Sequence, residues 1–479
     1  MLSTIESINS AVNNFIWGVP AMICIIGVGL YLTLRTHFLQ IRKFPYAIKT
    51  TIGRMFRKRD ASDGSLTPFQ AVCTALAATV GTGNISGVAG AIAIGGPGAV
   101  FWMWLTGVFG IATKYTEVYA AIKYRVKDHR GQMLGGAMYA WERAFKRPDG
   151  SVPFWAKLGA VLFAAFAVVA TLGTGSAVQS SAMTGIICGN FPMIPKWAVS
   201  LVIAVFVAVV IFGGVKSITS VCERLVPFMA AAYTIGCLII LVSNAPYLGQ
   251  TLSLILECAF TSKAAFGGAV GSGIMIALQY GCARGLFSNE SGLGTAPIVA
   301  AAASTRNPAR QALIASTGTF WSTVVICLIT GLVLVSTMLA HPDIVMDGSL
   351  QAGADLANAA FATIPYVGTP VLVIGMVSFA YSTILGWSYY GNRCATYLFG
   401  KRAIVPYQII YVVVGILGGL GVGDIVWTVS DIGNALMALP NIIMILLLSG
   451  MIARETRYYV YQNHLDEPAD ENIPVIMSK

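Results

Sequence analysis

Long apolar stretches separated by short polar ones follow one another along almost the whole chain. Each apolar stretch is about 20 residues long or longer, the length at which an α-helix crosses the hydrocarbon core of a bilayer. The pattern therefore predicts an all-α polytopic membrane protein with eleven transmembrane helices. We place these helices at about residues 15–34, 68–94, 98–121, 155–180, 197–213, 225–243, 267–300, 311–338, 366–390, 406–422 and 426–450.

The distribution of Lys and Arg predicts how these helices are oriented. Residues 1–14 contain neither, whereas residues 35–59 contain eight. Cytoplasmic loops of membrane proteins carry an excess of basic residues, so the N-terminus is predicted outside and the loop that follows the first helix inside. Alternating from there places the basic stretch 122–154 inside and the loop 340–365, which has Asp but no Lys or Arg, outside. The predicted topology is N-out and C-in.

Setting the first helix aside leaves two sets of five helices. Because five is an odd number, the second set must run in the opposite direction to the first, as in an inverted repeat. Both sets begin with a Gly-interrupted segment, a feature that marks the midplane binding site of transporters. Chance is the alternative, because Gly is common in membrane helices. The predicted division is a tail, extra helix and basic loop (1–67), a first repeat (68–243), an outer connecting loop (244–265), a second repeat (266–450) and a cytoplasmic tail (451–479).

Composition supports a location in a membrane. Hydrophobic residues make up 56% of the chain and charged residues only 10%, against about 25% charged in soluble proteins. The net charge of +10 comes from basic residues at the ends of apolar stretches, so nucleic acid is not an expected partner, and no partner protein is evident. The Cys and His residues show no metal-ligand spacing, and a Walker loop is missing, which argues against ATP-driven transport. No cofactor is expected.

The first Gly-interrupted segment, residues 77–87, is the first candidate site. Gly81 and Gly83 flank Thr82, and Asn84 follows. Few side chains therefore shield the backbone of a continuous helix here. If the segment unwinds, its free N–H groups can bind a carboxylate at the positive end of the outer half-helix. Its free carbonyls can bind a cation. The equally open alternative is a close helix–helix contact through Gly83 and Gly87.

The second interrupted segment lies within residues 267–304. This run would be about 57 Å long if it were wholly helical, nearly twice the hydrocarbon thickness, so it must bend or break. It contains Arg284 and Glu290, charges that are expensive in the membrane unless they are paired or hydrated. We expect the two residues to stabilise the inner gate. A structural ion pair without a role in transport is the alternative.

Polar residues in two other helices add candidates. Gln179, in the fourth helix, is suited to the amino group of a zwitterion or to a neighbouring helix. Ser382 and Thr383, in the ninth, can complete an oxygen site for a cation, or hydrogen-bond to carbonyls of their own helix. Trp387 can line a small pocket or belong to the core. Lys114 and Glu117, three residues apart, form a predicted ion pair that is structural.

Three segments carry a resemblance to a known family. GTGN at 81–84, GGPGAVFWMW at 95–104 and RGLFSNESGLG at 284–294 closely resemble the alanine/glycine:cation symporter family, and the likeness extends over about residues 15–450. The resemblance implies eleven helices in the LeuT-like five-plus-five inverted repeat of the amino acid–polyamine–cation superfamily, preceded by one extra N-terminal helix. It also implies sodium-driven uptake of a small neutral amino acid, such as alanine, glycine or glutamine, across the inner (plasma) membrane of a bacterium or archaeon.

The resemblance also implies site residues. Thr82, Gly83 and Asn84 would face the substrate carboxylate, and Gln179, Trp387 and Phe287 would complete the substrate pocket. By analogy with related inverted-repeat symporters, sodium would bind the carbonyls of Ala77 and Val80 and the side chains of Ser382 and Thr383. Ser180 and Ser181 stand where many members have Ala-Asn, which leaves the substrate less well defined than the fold.

The function predicted from the sequence is a sodium-coupled symporter that works by alternating access and is not an enzyme. Within transporters, the alternative is a proton-coupled carrier with Glu117 or Glu290 as the relay. A channel would need a continuous polar pore lining, and an intramembrane protease would need paired catalytic groups inside the helices. The eleven predicted helices show neither.

Overall fold

The computed structural model describes residues 18–55, 66–129, 131–261, 273–346, 353–421, 425–469 and 473–476. These residues are almost entirely helical. The helices are α1 (Val19–Arg35), α2 (Leu39–Arg42), α3 (Phe44–Met55), α4 (Pro68–Thr79), α5 (Ser86–Gly95), α6 (Gly98–Lys123), α7 (Ala137–Ala144), α8 (Phe154–Asn190), α9 (Lys196–Phe212), α10 (Gly214–Ser243), α11 (Leu248–Phe260), α12 (Ile274–Asn289), α13 (Ala296–Ala300), α14 (Pro308–Ala340), α15 (Asp343–Met346), α16 (Gly353–Ala362), α17 (Gly368–Phe399), α18 (Ile404–Leu420) and α19 (Ile425–Thr456). Three short strands are β1 (Val126–Asp128), β2 (Met133–Leu134) and β3 (Val475–Ile476).

Both predicted interruptions are confirmed. The first span is divided into α4 and α5, which are joined through a 3₁₀ turn at Thr82–Asn84. The second is divided into α12 and α13, and its connection contains Glu290, Gly292 and Gly294, all with positive φ. Left-handed backbone is readily adopted by Gly but costs a residue such as Glu, so surrounding contacts must hold Glu290 in this turn.

Six helical runs are long and apolar enough to cross a membrane, among the residues that the structure describes. They are Phe154–Asn190, Gly214–Ser243, Pro308–Ala340, Gly368–Phe399, Lys401–Leu420 and Val429–Tyr461, and Ser86–Gly95 and Lys196–Phe212 are shorter apolar helices. Three of the long runs contain π-helical segments, which lie at Thr171–Ala177 in α8, at Phe320–Cys327 in α14 and at Arg457–Tyr461 directly after α19. A π segment widens the helix and releases backbone carbonyls for other partners.

Several connecting segments contain more structure than the sequence predicts. The stretch predicted as the outer connecting loop, 244–265, contains helix α11, and the loop after α1 contains α2 and α3. Helix α8 continues ten residues beyond the predicted end at residue 180, and α10 begins at Gly214 instead of 225. These extensions carry polar residues such as Asn190 and Glu223, which place them at helix ends rather than in the hydrocarbon.

Helices at equivalent places in the two sets of five have equivalent packing partners. Helix α8 packs against α19, and α17, at the equivalent place in the second set, packs against α10. Helices α9 and α18, which are also equivalent, pack against each other. This exchange of partners is what a two-fold repeat predicts. The broken helices lie at the centre, where α4 contacts α10 and α17, and α12 contacts α6 and α5.

The outer surface of the helix bundle is apolar. Large side chains that are more than half exposed include Phe206, Val209, Phe228, Ile235 and Val242. A water-soluble monomer rarely exposes a continuous apolar surface of this kind. The bundle therefore has the surface of a protein whose solvent is lipid.

One end of the bundle is closed by contacts between distant parts of the chain. The backbone of Leu66 exchanges hydrogen bonds with Ala302 (3.2 Å) and Ser304 (2.7 Å). The Arg125 guanidinium is only 4% exposed and donates to the carbonyls of Ala301, Ala303 and Thr305 at 3.3, 3.0 and 2.6 Å. The start of α4 and the segment after α13 are thus held together at this end.

The C-terminal segment lies across the same end. Strand β3 pairs in parallel with β1, which also pairs with β2. The Asn307 side chain donates to the Glu467 carbonyl at 3.0 Å, and Ala469 N donates to the Arg306 carbonyl at 2.9 Å. Hydrogen bonds from His464 and Tyr458 hold the pKa of the Glu467 carboxyl below its usual range.

Candidate functional site

The break between α4 and α5 is held by Asn84. Its side-chain oxygen accepts from Gly81 N at 3.0 Å. Its amide nitrogen donates to Ser288 Oγ on α12 at 3.0 Å and to the carbonyl of Ser322, in the π-helical segment of α14, at 2.9 Å. Asn84 is fully buried. Asn84 therefore connects the break to two neighbouring helices, α12 and α14.

Thr82 and Gln179 lie in direct contact. Thr82 N donates to Gln179 Oε1 at 3.3 Å, and Gln179 Nε2 donates to the carbonyl of Thr174 in the π-helical segment of α8 at 3.1 Å. The Thr82 hydroxyl is buried and has no hydrogen-bond partner among the described residues. Buried polar groups are nearly always hydrogen-bonded, so an exception of this kind requires an explanation.

Phe287 covers Gly83. A Cβ atom built on Gly83 would lie 2.8 Å from Phe287 Cδ1, closer than carbon atoms normally approach. Glycine is therefore the residue that fits beneath the ring. The structure thus brings together four of the six predicted substrate residues, Thr82, Gly83, Gln179 and Phe287, and Asn84 supports them from behind.

Trp387 lies one turn along α17 from Thr383. It is 2% exposed and packs against Gly175, where a Cβ atom would lie 2.4 Å from Trp387 Cβ. Its side chain also lies close to the Glu290 carboxylate. Trp387 therefore connects the neighbourhood of the first break with the turn of the second break.

The predicted cation ligands converge on one point. Thr383 Oγ1 lies 3.1 Å from the Ala77 carbonyl and 3.3 Å from the carbonyls of Ala78 and Val80. Ser382 Oγ lies 3.2 Å from the Ala77 carbonyl. All of these residues are buried.

This cluster has fewer hydrogen-bond donors than oxygen acceptors. One hydroxyl can donate a single hydrogen bond, so Thr383 cannot satisfy three carbonyls at once. Ser382 also donates to the Phe379 carbonyl of its own helix at 2.9 Å. The cluster lies at the C-terminal end of α4, where the helix dipole is negative. An oxygen-rich and electronegative position of this kind suits a hard cation.

Arg284 and Glu290 do not pair with each other, so the alternative of a structural ion pair between them is wrong. Arg284 Nη2 lies 3.8 Å from Asp431 Oδ2 on α19. Glu290 instead accepts from Thr295 Oγ1 at 2.6 Å, and its carbonyl accepts from Lys114 Nζ at 2.9 Å. The two residues are six positions apart, so along a helix they would point in different directions.

Lys114 and Glu117 do not form the predicted ion pair within 4.0 Å among the described contacts. Lys114 Nζ is bound to the Glu290 carbonyl, and Glu117 Oε1 accepts from the backbone N–H groups of Gly292 (2.8 Å) and Gly294 (3.2 Å). Asn441 Nδ2 donates to the same oxygen at 2.5 Å. Glu117 therefore holds the turn of the second break. The sequence signal that could have identified Asn441 is an amide inside an apolar helix.

A small, partly open cleft lies away from this site, beside α1. It is lined by Cys24, Ile25, Val28, Thr106, Gly110, Thr113, Leu286, Asn289, Ser291, Gly292 and Ile442. Leu286 and Asn289 share a face of α12 that differs from the face of Phe287 and Ser288. The cleft is therefore separate from the residues around the first break.

Comparison with known proteins identifies the family. The sequence model of the sodium:alanine symporter family matches residues 2–472. The sodium/alanine symporter AgcS of Methanococcus maripaludis is 44% identical over 454 residues, covering 95% of this chain and 97% of AgcS. The probable sodium/glutamine symporter GlnT of Bacillus subtilis is 34% identical, covering 96% of this chain and 92% of GlnT.

A solved structure agrees on the fold. The crystal structure of MhsT in complex with L-phenylalanine aligns with a TM-score of 0.57 at 15% identity, covering 84% of this chain and 95% of MhsT. The chain belongs to the sodium:alanine symporter family. It is a multi-pass membrane transporter of bacteria or archaea and not an enzyme.

Proposed function

We propose that this member of the sodium:alanine symporter family imports a small neutral amino acid together with sodium by alternating access. The main support for the proposal is that a cation-binding environment and an anion-binding environment lie next to each other at one break. The carbonyls of Ala77 and Val80 end α4, and the N–H group and hydroxyl of Thr82 follow within two residues. A cation and a carboxylate bound there would stabilise each other.

The substrate carboxylate is proposed to bind at Thr82 and Gly83. These residues precede α5, so the carboxylate would lie at the positive end of a helix dipole. The bond from Thr82 N to Gln179 Oε1 is long, at 3.3 Å, and is therefore inexpensive to exchange for a bond to a carboxylate. The unpartnered Thr82 hydroxyl would donate the second bond.

The released Gln179 side chain is proposed to contact the amino group of the substrate. Its oxygen already faces Thr82, and its nitrogen is held by the Thr174 carbonyl. The ring of Phe287 against Gly83 and the contact of Trp387 with Gly175 leave little room for a large substrate side chain. A small neutral amino acid such as alanine or glycine suits this space, and glutamine, the substrate in the name of the relative GlnT, is the larger alternative.

Sodium is proposed to bind the carbonyls of Ala77 and Val80 and the hydroxyls of Ser382 and Thr383. A cation would offset the shortage of hydrogen-bond donors at this cluster, because each hydroxyl could then direct an oxygen lone pair toward the cation. The site joins α4 to α17, so occupancy would fix the position of the break and favour amino-acid binding. The membrane potential would add about 2.3 kcal/mol per charge per 100 mV to inward transport.

Counterflow in proteoliposomes tests the proposal. Purified protein loaded with alanine should exchange labelled alanine or glycine in sodium buffer and not in potassium or choline buffer. Lysine and glutamate should not compete. Exchange that follows pH and persists without sodium would support the proton-coupled alternative and overturn the sodium site. Exchange of none of the neutral amino acids would overturn the substrate class.

A further inference from the structure

Four basic side chains meet where the end of α1 lies beside the end of α19. The Arg42 guanidinium and Lys43 Nζ lie 5.1 and 5.2 Å from the centre of the same aromatic ring, that of Tyr461. Arg457, directly after α19, places Nη2 3.1 Å from His37 Nε2. The rings of His37 and Tyr461 are 6.1 Å apart, so these three cations lie around one pair of rings.

Arg35 is the fourth cation and lies in the last turn of α1. Its Nε donates to the Tyr31 hydroxyl at 3.0 Å, and that hydroxyl hydrogen-bonds to Ser449 Oγ on α19 at 3.1 Å. Arg35 Nη2 is 3.8 Å from the position of a Cβ atom on Gly450. The side chain therefore lies across the contact between α1 and α19. We refer to the four residues as the basic cluster: Arg35, Arg42, Lys43 and Arg457.

A left-handed turn between α1 and α2 fixes the position of the basic cluster. His37 and Phe38 have φ values of 55° and 57°, a conformation that persists only where surrounding contacts hold it. The Tyr461 hydroxyl lies 2.9 and 3.0 Å from the carbonyl oxygens of Thr36 and His37 and holds this turn. Tyr461 thus positions α2 and also presents its ring to two cations. The cluster is therefore a product of the tertiary structure.

The charges of the basic cluster are not compensated by acidic side chains. Among the residues that the structure describes, no carboxylate oxygen lies within 4.0 Å of a nitrogen of the cluster. The acidic side chains at the end of α19 and in the tail have other partners: Glu455 binds Lys123, Asp466 binds Arg310 and Glu467 binds His464. Like charges without a counter-ion repel one another. An anion that binds among them would therefore stabilise this end of the protein.

Exposed apolar side chains adjoin the basic cluster. Leu34, Phe38 and Ile41 are 54%, 43% and 64% exposed, and Leu34 and Ile41 directly precede Arg35 and Arg42. A free anion would make no use of these apolar groups. A phospholipid carries an anionic headgroup next to apolar chains, and basic residues beside a membrane-crossing helix lie at the level of such headgroups. The surface therefore fits a lipid better than it fits a soluble anion.

We propose that the basic cluster binds the phosphate group of an anionic phospholipid, whose acyl chains lie along Leu34, Phe38 and Ile41. Arginine suits this role because its planar guanidinium donates paired hydrogen bonds to phosphate oxygens. Phosphatidylglycerol supplies a net negative charge, whereas phosphatidylcholine adds a choline cation that the cluster repels. A bound lipid would join α1 and α2 to α19 and stabilise the folded protein. The inference does not depend on which amino acid or ion is transported.

Thermal unfolding with added lipid tests the site. Protein washed free of lipid in dodecyl maltoside is heated in low-salt buffer with increasing phosphatidylglycerol, phosphatidylcholine or inorganic phosphate. Phosphatidylglycerol should raise the melting temperature at concentrations at which the other two have no effect, and high salt should weaken this rise. An equal rise with phosphatidylcholine, or with inorganic phosphate alone, would overturn the lipid site.

Arg42→Gln combined with Lys43→Gln tests whether the basic cluster is where the lipid binds. Each cation close to an anionic headgroup contributes about fivefold to affinity, so this double variant should need on the order of 25-fold more phosphatidylglycerol for the same rise. Arg457→Gln alone should need about fivefold more. Each rise is measured from the variant's own melting temperature without lipid. Lost packing against Tyr461 therefore does not mimic lost binding.

Lys146→Gln combined with Arg147→Gln is the matched control. These residues are also adjacent, basic and exposed, in the segment between α7 and α8, so the control removes the same charge elsewhere. It should respond to phosphatidylglycerol as the wild type does, and so should Arg42→Lys combined with Lys43→Arg, which keeps both charges. An equal loss of response in the control would overturn the site in favour of general electrostatic attraction. A wild-type response after both Gln substitutions in the cluster, or a lost response in the variant that keeps both charges, would also overturn it.

Discussion

At the scale of single residues, the site depends on which hydroxyls reach a carbonyl outside their own helix. Many Ser and Thr side chains in this chain bond back to a carbonyl three or four positions earlier, as Ser388 does to Leu385 at 2.7 Å. Thr383 instead directs its hydroxyl across to three carbonyls of α4 and its break. This difference distinguishes a candidate ligand from a side chain that only satisfies itself.

Thr383→Ala should therefore weaken sodium binding. The variant loses one neutral oxygen ligand, a contact worth about 1 kcal/mol, which corresponds to about fivefold in affinity. We expect the sodium concentration for half-maximal uptake to rise by that factor. Amino-acid affinity should partly recover at saturating sodium, because coupling between two ligands is reciprocal. Ser388→Ala on the same helix is the control, and an equal shift in both variants would exclude Thr383 as a ligand.

Gly83→Ala should impair amino-acid binding far more than Gly87→Ala. The new methyl group at position 83 would lie 2.8 Å from Phe287, whereas the nearest atom to one at position 87 is 3.9 Å away. The Phe287 ring would have to move, at an expected cost of about 1–3 kcal/mol. Calorimetric titration with alanine in sodium buffer measures the difference. Equal affinities in the two variants would show that the ring does not close over Gly83.

At the scale of the helix, the sequence predicts that two spans break but not what holds the breaks. The glycines of residues 77–87 and 285–294 indicate a break in each helix, because glycine destabilises the interior of a helix. The partners of the broken segments come from distant helices: Ser322 on α14 for Asn84, and Glu117 and Asn441 for Gly292. Such contacts depend on the three-dimensional arrangement, which local sequence does not encode. For the same reason, spacing alone pairs Lys114 with Glu117, whereas in the structure each has another partner.

Glu117→Gln separates a structural carboxylate from a proton relay. Gln retains one oxygen that can accept from Gly292 N and Gly294 N, so the turn of the second break should persist. We expect sodium-driven uptake to continue at a reduced rate. Glu117→Leu removes the acceptor and leaves buried N–H groups unpaired, at about 1–3 kcal/mol each, so it should lower the melting temperature and abolish uptake. A folded Glu117→Gln variant without coupled uptake would favour the proton relay.

At the scale of the whole molecule, contacts between distant segments constrain how the chain crosses the membrane. Segments that touch outside the bilayer must lie on the same side, so an even number of crossings must separate them. Eight predicted helices separate β1 from its partner β3, and six separate Leu66 from Ala303. Ten separate Thr36 from Tyr461, whose hydroxyl donates to the Thr36 carbonyl at 2.9 Å. All three counts are even, as eleven crossings in the predicted order require.

The opposite end of the bundle gives the same result. Asn190, the last residue of α8, lies 3.4 Å from the side chain of Asn358, and four predicted helices separate them. Asn244, after α10, donates to Thr337 at the end of α14 at 2.9 Å. These contacts join loops that the predicted eleven crossings place on the same side. They do not depend on which side is the cytoplasm, so the orientation rests on the basic loops alone.

Labelling with an impermeant thiol reagent decides the orientation. In a Cys-less background, Met193→Cys should react in intact cells and Asp149→Cys should react only after the cells are opened. Met193 is 97% exposed in the turn between α8 and α9, and Asp149 is exposed in the segment between α7 and α8. A single helix separates the two positions, so they must lie on opposite sides. Since both are exposed in this structure, absence of reaction reflects the membrane and not burial.

The reverse pattern would invert the topology and make 35–67 extracellular, against the charge rule. Reaction of both in intact cells would mean that α8 does not cross the bilayer and would overturn the repeat itself.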